Sequence, residues 1–321
     1  MISVIMPAYN ASDYISEAIE SIRRQTYRDL ELIIVDDGST DDTAKIASAH
    51  EAKDNRIRVL RSNHGGNCAA RNIGVREARY PWIAAMDADD VARPERLEKQ
   101  LAAVTANPRI VALGTAVYHL IGSRVVGVAR HGPESEAEFY RRRQTGEDIS
   151  LYHPSALMNK EVFLKVGGYD DVFQDCSEFE LFDRMAAFGP ILALPEPLVY
   201  YRLHSGSMSM QRFFDQRLSS RYVTARNKAR ISGEPPMSFD EFVLACRRQP
   251  LRERLRIWAI DMCNYHYRAA GLSYGEGKYA AALFHLGLST FLRPDYVLPR
   301  LWKQRLSPQS RQELRTGQAS I

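Results

Sequence analysis

Apolar runs alternate with amphipathic segments through the first hundred residues, and this alternation limits the fold more than any other feature. The runs at 2–6 and 31–35 are mostly apolar, whereas the segment between them places Ile15, Ala18 and Ile22 at helical spacing. Apolar strands joined by helical crossovers form a parallel sheet that helices cover on both faces. The chain is therefore predicted to be an α/β protein.

The same patterns place the later elements. Strands are predicted at 2–6, 31–35, 57–60, 82–86, 111–121, 124–129, 191–194 and 197–203. Helices are predicted after an N-cap at Ser12, after Thr40 or Asp41, near 68–78, from about Pro94, and at 177–188. From about residue 211 onwards the patterns indicate helices alone. We therefore expect an α/β domain at 1–210 and an all-helical extension at 211–321.

The charges divide the chain at the same point. Residues 1–210 carry 24 Lys and Arg against 30 Asp and Glu, a net charge of −6, while residues 211–321 carry 19 against 9, a net charge of +10. Basic segments favour phosphates or anionic surfaces. Because no nucleic-acid-binding motif accompanies the basic segment, we expect no nucleic acid partner.

Cysteine spacing and hydropathy bear on the compartment. The four cysteines lie far apart without a CxxC pair, which disfavours a zinc site and a disulfide framework and favours a reduced chain. Pro7 interrupts the apolar N-terminal run too early for a secretory core. The longest uncharged stretches, of which Tyr279–Leu292 is one, are shorter than the ~20 residues of a membrane-spanning helix. We expect a cytoplasmic protein without a transmembrane helix.

Polar residues follow three of the predicted strands. The segments at these strand ends are Pro7-Ala8-Tyr9-Asn10, Asp36-Asp37-Gly38-Ser39 and Asp87-Ala88-Asp89-Asp90. The carboxyl ends of parallel strands share the edge where ligands bind, so these acids and Tyr9 are expected to line one cleft. The sequence lacks the glycine-rich GxGxxG turn and the P-loop, and this disfavours a dehydrogenase.

The acids at 87–90 allow two interpretations. Mg²⁺ and Mn²⁺ prefer carboxylate oxygens together with substrate phosphate oxygens, so Asp87 and Asp89 would suit a diphosphate bound with a metal. Alternatively, Asp89 or Asp90 caps the helix predicted near Pro94.

Asp37 also has two interpretations. Its carboxylate could accept a hydrogen bond from the imide N–H of uracil or thymine, with Tyr9 stacked on the base. Alternatively, residues 36–41 form only a polar turn that leads into a helix.

Taken together, these segments resemble family 2 inverting glycosyltransferases of the GT-A fold, of the bacterial cell-surface glycan type. The matching segments are PAYN (7–10), VDDGSTD (35–41), HGGNCAARNIG (64–74), MDADD (86–90), HPSALM (153–158), KVGGYDD (165–171) and YYRLHSGSMS (200–209). The resemblance implies a Rossmann-like, mostly parallel sheet flanked by helices. Residues 1–100 would bind the nucleotide and residues 101–210 would bind the acceptor and carry the catalytic base.

The resemblance implies a role for each matched residue. The nucleotide-binding residues would be Pro7, Ala8, Tyr9, Asp37, Arg71 and Asp87. Asp89 of the DxD motif would be the principal ligand of Mn²⁺ or Mg²⁺, and His204 a later metal or diphosphate contact. Two alternatives remain open, because Arg71 could simply pair with a nearby acid and His204 could be a surface histidine after a strand.

Inverting transfer also needs a general base for the acceptor hydroxyl. In the family this base is usually the aspartate of a Glu-Asp pair after a GGYD-like turn. Aligned on residues 167–170, Ser177 replaces the glutamate and Glu178 replaces the aspartate. Glu178 is therefore the predicted base and Asp175 the alternative. Ser177 could equally cap a helix whose dipole favours an ionised Glu178.

The basic extension also allows two interpretations. Residues 250–258 and 296–306 intersperse Arg and Lys with Leu and Trp. They could form a solvated face over a helical core, or an interfacial surface that contacts anionic lipid.

The resemblance implies a metal-dependent hexosyl- or related transferase. It would move a sugar from a UDP- or dTDP-sugar to a glycan or polyprenyl-linked acceptor in cell-surface polysaccharide synthesis. Its location would be cytoplasmic, with a peripheral contact to the inner face of the membrane. Because the Glu-Asp pair is altered, a catalytically impaired nucleotide-sugar-binding protein is the alternative.

Overall fold

The computed structural model describes residues 1–173, 177–204 and 206–319. The chain divides into two compact units. The first contains Met1–Val117 and Arg130–Tyr201, and the second contains Tyr118–Ala129 and Arg202–Ile321.

The elements follow the predicted alternation. The strands are β1 (Ile2–Ala8), β2 (Leu30–Asp36), β3 (Ile57–Arg61), β4 (Trp82–Ala85), β5 (Val91–Ala92), β6 (Ala112–Ile121), β7 (Arg124–Ala129), β8 (Leu157–Asn159) and β9 (Ile191–Arg202). The helices are α1 (Ile15–Arg23), α2 (Thr43–Glu51), α3 (Asn67–Glu77), α4 (Arg96–Ala106), α5 (Glu136–Thr145), α6 (Lys160–Lys165), α7 (Ser177–Met185), α8 (Met208–Gln211), α9 (Phe213–Ser232), α10 (Phe239–Arg248), α11 (Leu251–Gly275), α12 (Tyr279–Leu292), α13 (Pro294–Leu301) and α14 (Pro308–Ala319).

The sheet is parallel where the first hundred residues form it. The strands pair in the order β3-β2-β1-β4-β8-β6-β9-β5, with β7 on β6. The pairs among β1, β2, β3 and β4 are parallel, whereas β4 with β8, β8 with β6, and β5 with β9 are antiparallel. Ala8 lies opposite Asp36, so the residues that follow β1 and β2 emerge at the same edge. The predicted α/β class and helix-flanked sheet are confirmed.

A glycine sets how closely α3 approaches this sheet. A Cβ atom at Gly74 would lie 2.5 Å from Cγ2 of Ile5 and 3.3 Å from Cγ2 of Val35. Both are core residues with little or no exposure. Only a residue without a side chain allows this packing, which brings the first turns of α3 to the edge where β1 and β2 end.

Two predicted details were wrong. Ser12 is not the N-cap, because α1 begins at Ile15 and the Ser12 amide donates to Asp41 at 3.1 Å. The two predicted strands at 191–194 and 197–203 are one strand, β9. Pro195, between these runs, and Pro197, at the start of the second, lack a donor, but neighbouring carbonyls remain available to accept, as when Leu198 accepts from Arg93 at 2.9 Å.

The second unit combines the β6–β7 hairpin with the C-terminal helices. Gln318 of α14 accepts a hydrogen bond from the amide of Val125 at 2.8 Å and donates one to the carbonyl of Ser123 at 3.0 Å. A Cβ atom at Gly275 of α11 would lie 2.5 Å from Ile121. These contacts attach the hairpin to the helices. Among the helices within the described ranges, none is long and apolar enough to cross a membrane.

Candidate functional site

The carboxylate of Asp37 organises the loop at 62–66. It is buried, and it accepts hydrogen bonds from the hydroxyl of Ser62 at 2.7 Å and from the amides of Gly65 and Gly66 at 2.9 and 2.8 Å. A carboxylate has about four lone-pair directions, so Asp37 retains capacity for one further donor. Asp37 is therefore more than a turn residue, because it holds in place the loop that precedes α3.

An aromatic surface lies beside Asp37. The ring of Tyr9, which is 47% exposed, lies 4.3 Å from the ring of His64, with an interplanar angle of 30°. Nδ1 of His64 lies 3.0 Å from the carbonyl oxygen of Asp37, and the backbone of His64 has a φ of +32°. Pro7 and Ala8 end β1 directly before Tyr9. His64 was not among the residues predicted from the sequence, although a histidine before two glycines at a helix start was an available signal.

Arg71 and Asp87 form a pair at the end of β4. Nη2 of Arg71 donates to Oδ1 of Asp87 at 2.8 Å; the Arg71 side chain is 8% exposed and that of Asp87 is 25% exposed. Burial would raise the pKa of Asp87, but the charge of Arg71 lowers it below its usual value. Burial would lower the pKa of Arg71, yet Asp87 raises it. Arg71 thus pairs with a nearby acid, and that acid, Asp87, is itself a predicted nucleotide-binding residue.

A buried histidine adjoins this pair. Nδ1 of His153 lies 3.9 Å from Oδ1 of Asp87, and its Nε2 lies 2.6 Å from the hydroxyl of Tyr169. Burial, together with the charge of Arg71, lowers the pKa of His153 to about 3, so the imidazole is neutral at physiological pH. His153 and Tyr169 lie in segments that resemble the family, but no role was predicted for either from the sequence.

Asn72 fixes the position of Tyr169. The Asn72 side chain accepts from the Tyr169 amide at 2.9 Å and donates to the Tyr169 carbonyl at 2.8 Å. The guanidinium carbon of Arg71 lies 5.5 Å from the centre of the Tyr169 ring. A Cβ atom at Gly168, whose φ is +73°, would lie 2.6 Å from Oδ1 of Asn72, so the GGYD turn requires glycine there. Neighbouring residues of α3 thus contact both Asp87 and Tyr169.

A buried arginine that the sequence analysis missed supports the end of β4. Arg96 has no exposed surface; it donates to the carbonyl of Ala85 at 2.9 Å and to the side chain of Gln100 at 3.0 Å. Burial lowers the pKa of Arg96 to about 9, while the charges of Asp90 and Asp87 oppose this shift. Arg96 therefore holds the strand end from which the acidic segment begins.

Neither Asp89 nor Asp90 caps the following helix. Helix α4 begins at Arg96, with Glu95 at the N-cap position, and a short strand, β5, intervenes after Asp90. Asp90 is 1% exposed, and its negative charge acts on Arg96. The capping interpretation is wrong because the chain makes another strand before it enters the helix.

Glu178 lies in the first turn of α7 and is half-buried. Burial raises its pKa, and the charges of Asp87 and Asp148 add to this effect, while its own amide and the charge of Arg71 oppose it. Burial thus outweighs the amide of the helix start in setting the direction of this shift, and the ionised state of Glu178 stays a prediction. The charges of Asp87 and Arg71 nevertheless reach Glu178. The alternative base, Asp175, lies outside the described residues, as does the side chain of the predicted cap Ser177.

The two predicted metal ligands belong to different units. Asp89 is half-buried in the first unit, and His204 is half-buried in the second, after β9. In the part of the chain that the structure describes, no three His, Cys, Asp or Glu side chains form a metal cluster. Mg²⁺ and Mn²⁺ sites often use one or two carboxylates and complete their coordination with substrate phosphates, and Asp89 fits a site of that kind.

The start of α11, in the first basic segment, exposes both apolar and basic side chains. The first turns of α11 expose Leu251, Leu255 and Trp258 at helical spacing, and Arg252 and Arg254 are also exposed.

In the second basic segment, Arg300 contacts the hydroxyl of Tyr296, and Arg305 lies 5.2 Å from the centre of the Tyr274 ring. Burial lowers the pKa of Arg305. Two cations of this segment are therefore used within the second unit.

Comparisons with known proteins agree with the fold and with the predicted family. The family described as glycosyl transferase family 2 matches residues 3–167. The O-antigen biosynthesis glycosyltransferase WbnJ of Escherichia coli is 31% identical over 216 residues, which is 64% of this chain and 81% of that protein. The glycosyltransferase GlyG of Streptococcus pneumoniae is 42% identical over 99 residues, which is 30% of this chain. The aligned part spans about a third of GlyG, 33% of its length.

Two solved structures share the fold. Residues 1–349 of TarS from S. aureus in complex with UDP-GlcNAc give a TM-score of 0.54 at 17% identity, over 90% of this chain and 91% of that one. The mannosyltransferase PcManGT from Pyrobaculum calidifontis in complex with GDP-Man and Mn²⁺ gives 0.54 at 18% identity, over 99% and 84%. The chain belongs to glycosyl transferase family 2, and it has the predicted GT-A fold.

Proposed function

We propose that this glycosyltransferase moves a sugar, with inversion, from a UDP- or dTDP-linked donor to a glycan or polyprenyl-linked acceptor in cell-surface polysaccharide synthesis. The observation that carries the proposal is the set of contacts that surround Asp37 and Asp87 at one edge of a parallel sheet. The names of WbnJ, an O-antigen enzyme, and of TarS with UDP-GlcNAc support the process and the donor class.

The proposed donor base follows from Asp37. Its carboxylate keeps an acceptor position beside the exposed ring of Tyr9. Uracil and thymine present one imide N–H, which suits a single free acceptor position, whereas guanine presents an N–H together with an amino group and adenine presents an amino group beside an acceptor nitrogen. Stacking on Tyr9 or His64 would hold the plane of the base.

The proposed metal is Mn²⁺ or Mg²⁺, held by Asp89 and the donor diphosphate, while a role for His204 stays a prediction from the family resemblance. When bound, the ion would offset the negative charge that develops on the leaving diphosphate. PcManGT was solved with Mn²⁺ and GDP-Man, which supports this choice. Calorimetry with UDP, with and without Mn²⁺, tests it: Asp89→Ala should abolish the gain in affinity that Mn²⁺ gives, and an undiminished gain would contradict the role.

Glu178 is the proposed general base. The acceptor oxygen forms a bond to the anomeric carbon, the bond from that carbon to the diphosphate breaks, and the diphosphate leaves with the electron pair. The acceptor proton passes to the Glu178 carboxylate. A raised pKa makes the ionised form a stronger base, provided that the pH lies above that pKa.

The experiment is transfer from a panel of nucleotide sugars with Mn²⁺. Glu178→Gln should remove transfer and leave donor affinity nearly unchanged, whereas Glu161→Gln, an exposed acid on α6, should leave both intact. Full activity in Glu178→Gln would rule out this base. Donor binding without transfer by the wild-type protein would instead favour the catalytically impaired alternative, which the replacement of the Glu-Asp pair at Ser177 and Glu178 supports.

We further propose that the basic extension contacts the inner face of the cytoplasmic membrane. The exposed leucines and tryptophan at the start of α11 would enter the lipid interface, and Arg252 and Arg254 would bind anionic headgroups. In a flotation assay with vesicles that contain anionic lipid, the wild-type protein should float with the vesicles, whereas the Arg252→Glu/Arg254→Glu variant should stay unbound. Arg311→Glu/Arg315→Glu, on exposed positions of α14, is the control for net charge; equal losses would contradict a specific surface.

A further inference from the structure

Two buried nitrogen atoms beside Asp87 lack hydrogen-bond partners among the described residues: Nε of Arg71 and Nδ1 of His153. Both residues are more than nine-tenths buried. A buried donor without a partner is costly, so such atoms usually indicate a missing water or ligand, or a second arrangement of their neighbours. Their common neighbour is the Asp87 carboxylate, to which Arg71 already donates from Nη2.

The contact with Tyr169 determines which nitrogen of His153 carries the proton. Nε2 lies 2.6 Å from the Tyr169 hydroxyl, and burial raises the pKa of Tyr169, so this hydroxyl keeps its proton. The hydroxyl has no other acceptor within the described ranges, and it therefore donates to Nε2. A neutral imidazole that accepts at Nε2 carries its hydrogen on Nδ1. The N–H group of His153 consequently lies on the side of Asp87.

The distance from Nδ1 to Oδ1 of Asp87 is 3.9 Å, which is too long for a hydrogen bond. Oδ1 of Asp87 is the atom that Arg71 holds in the structure. An anionic ligand that attracts the Arg71 guanidinium would weaken this pair and leave the Asp87 charge without its donor. His153 is the neighbour that can replace that donor after a small movement of the carboxylate.

We propose that His153 is a positioning residue of the donor site, whose Nδ1–H holds Asp87 when the nucleotide diphosphate engages Arg71. The proposal rests on the proposed glycosyl transfer. A neutral donor suits this place, because a second buried cation beside Arg71 would cost desolvation and repulsion. Asn72 and Tyr169 act through His153, because they fix the hydroxyl that selects its tautomer.

Two substitutions at His153 distinguish the role of Nδ1 from the role of Nε2. The amide of asparagine reaches the position of Nδ1, whereas the amide of glutamine reaches that of Nε2. His153→Asn should therefore keep UDP affinity, measured by calorimetry with Mn²⁺, within about twofold, while His153→Gln should lose about tenfold, the effect of one buried hydrogen bond. Any other ranking, including equal losses, would overturn the proposal.

A second measurement uses the wild-type protein without a ligand, so it does not depend on whether a variant folds. Nitrogen-15 spectra of the histidine-labelled wild-type protein should show His153 as the neutral tautomer with the proton on Nδ1. A proton on Nε2 would overturn the inference. Wild-type protein that binds neither UDP nor dTDP would contradict the proposed function, whereas wild-type binding that His153→Gln leaves unchanged would contradict only the role of His153.

Discussion

Replacement of Asp37 by asparagine should weaken the first unit by about 2 kcal/mol. The carboxylate accepts three hydrogen bonds, and asparagine can retain those from Ser62 and Gly65 at one oxygen. Its NH₂ group would then face the amide of Gly66, which now donates at 2.8 Å. The loss of one charge-assisted bond costs ~1.5–3 kcal/mol, and water reduces the cost because Gly66 is only half-buried.

Urea unfolding followed by fluorescence measures this loss. The three tryptophans are Trp82 in the first unit and Trp258 and Trp302 in the second, so a Trp258→Phe/Trp302→Phe background reports the first unit. Amide exchange at Gly66 should also accelerate. Asp42→Asn, on an exposed residue, is the control and should change the stability by less than ~0.5 kcal/mol. If Asp37→Asn is as stable as the control, the carboxylate does not organise the loop.

Three further substitutions test packing and charge. Because the pKa of Glu178 is raised, its contribution to stability is complete below its ordinary pKa of 4.5 and is lost as the pH rises through the raised value. Glu178→Gln should therefore be more stable than the wild-type protein at pH 7 and equally stable near pH 4. Sugar transfer by the wild-type protein should rise with pH over the same window. Gly74→Ala should destabilise by ~1–2 kcal/mol in thermal unfolding, because its Cβ would overlap Ile5, whereas Gly287→Ala, whose Cβ meets no described atom within 4 Å, should stabilise slightly. Asp261→Asn should lower the stability of the second unit by ~1–2 kcal/mol, since Asp261 accepts from Arg217 and Arg221, which are about one-third exposed.

Local sequence patterns predicted most elements of the first hundred residues, whereas β5, β8, α5 and α6 of the first unit were not predicted. Continuous apolar runs specify buried parallel strands, and β2 and α3 lie within one or two residues of their predicted bounds. The start of α1 was missed because a long-range partner, Asp41, takes the amide of Ser12. A hydrogen bond between residues so far apart in the chain leaves no local pattern.

Only part of the candidate site was predicted, because long-range contacts leave no local pattern in the sequence. Tyr9, Asp37 and Asp87 follow strands, so topology alone places them at one edge. His153 and Arg96 were missed because their importance comes from partners in other elements, Tyr169 for one and Ala85 for the other. The raised pKa of Glu178 was missed because burial, which the sequence does not specify residue by residue, opposes the helix start.

Substitution of the Arg71–Asp87 pair tests whether Arg71 binds the donor or only neutralises the charge of Asp87. Removal of one member of a buried ion pair costs ~3–5 kcal/mol, and somewhat less here because Asp87 is one-quarter exposed. Arg71→Met and Asp87→Asn should therefore each destabilise the protein. The double variant leaves no buried charge uncompensated, so it should be more stable than the sum of the single losses predicts, by about 2 kcal/mol.

If Arg71 only pairs with Asp87, the folded double variant should bind UDP with the same affinity as the wild-type protein. If both residues contact the donor, affinity for UDP should fall at least tenfold in the double variant while the fold is retained. The comparison separates binding from stability because the charge of the pair is zero both before and after the double substitution.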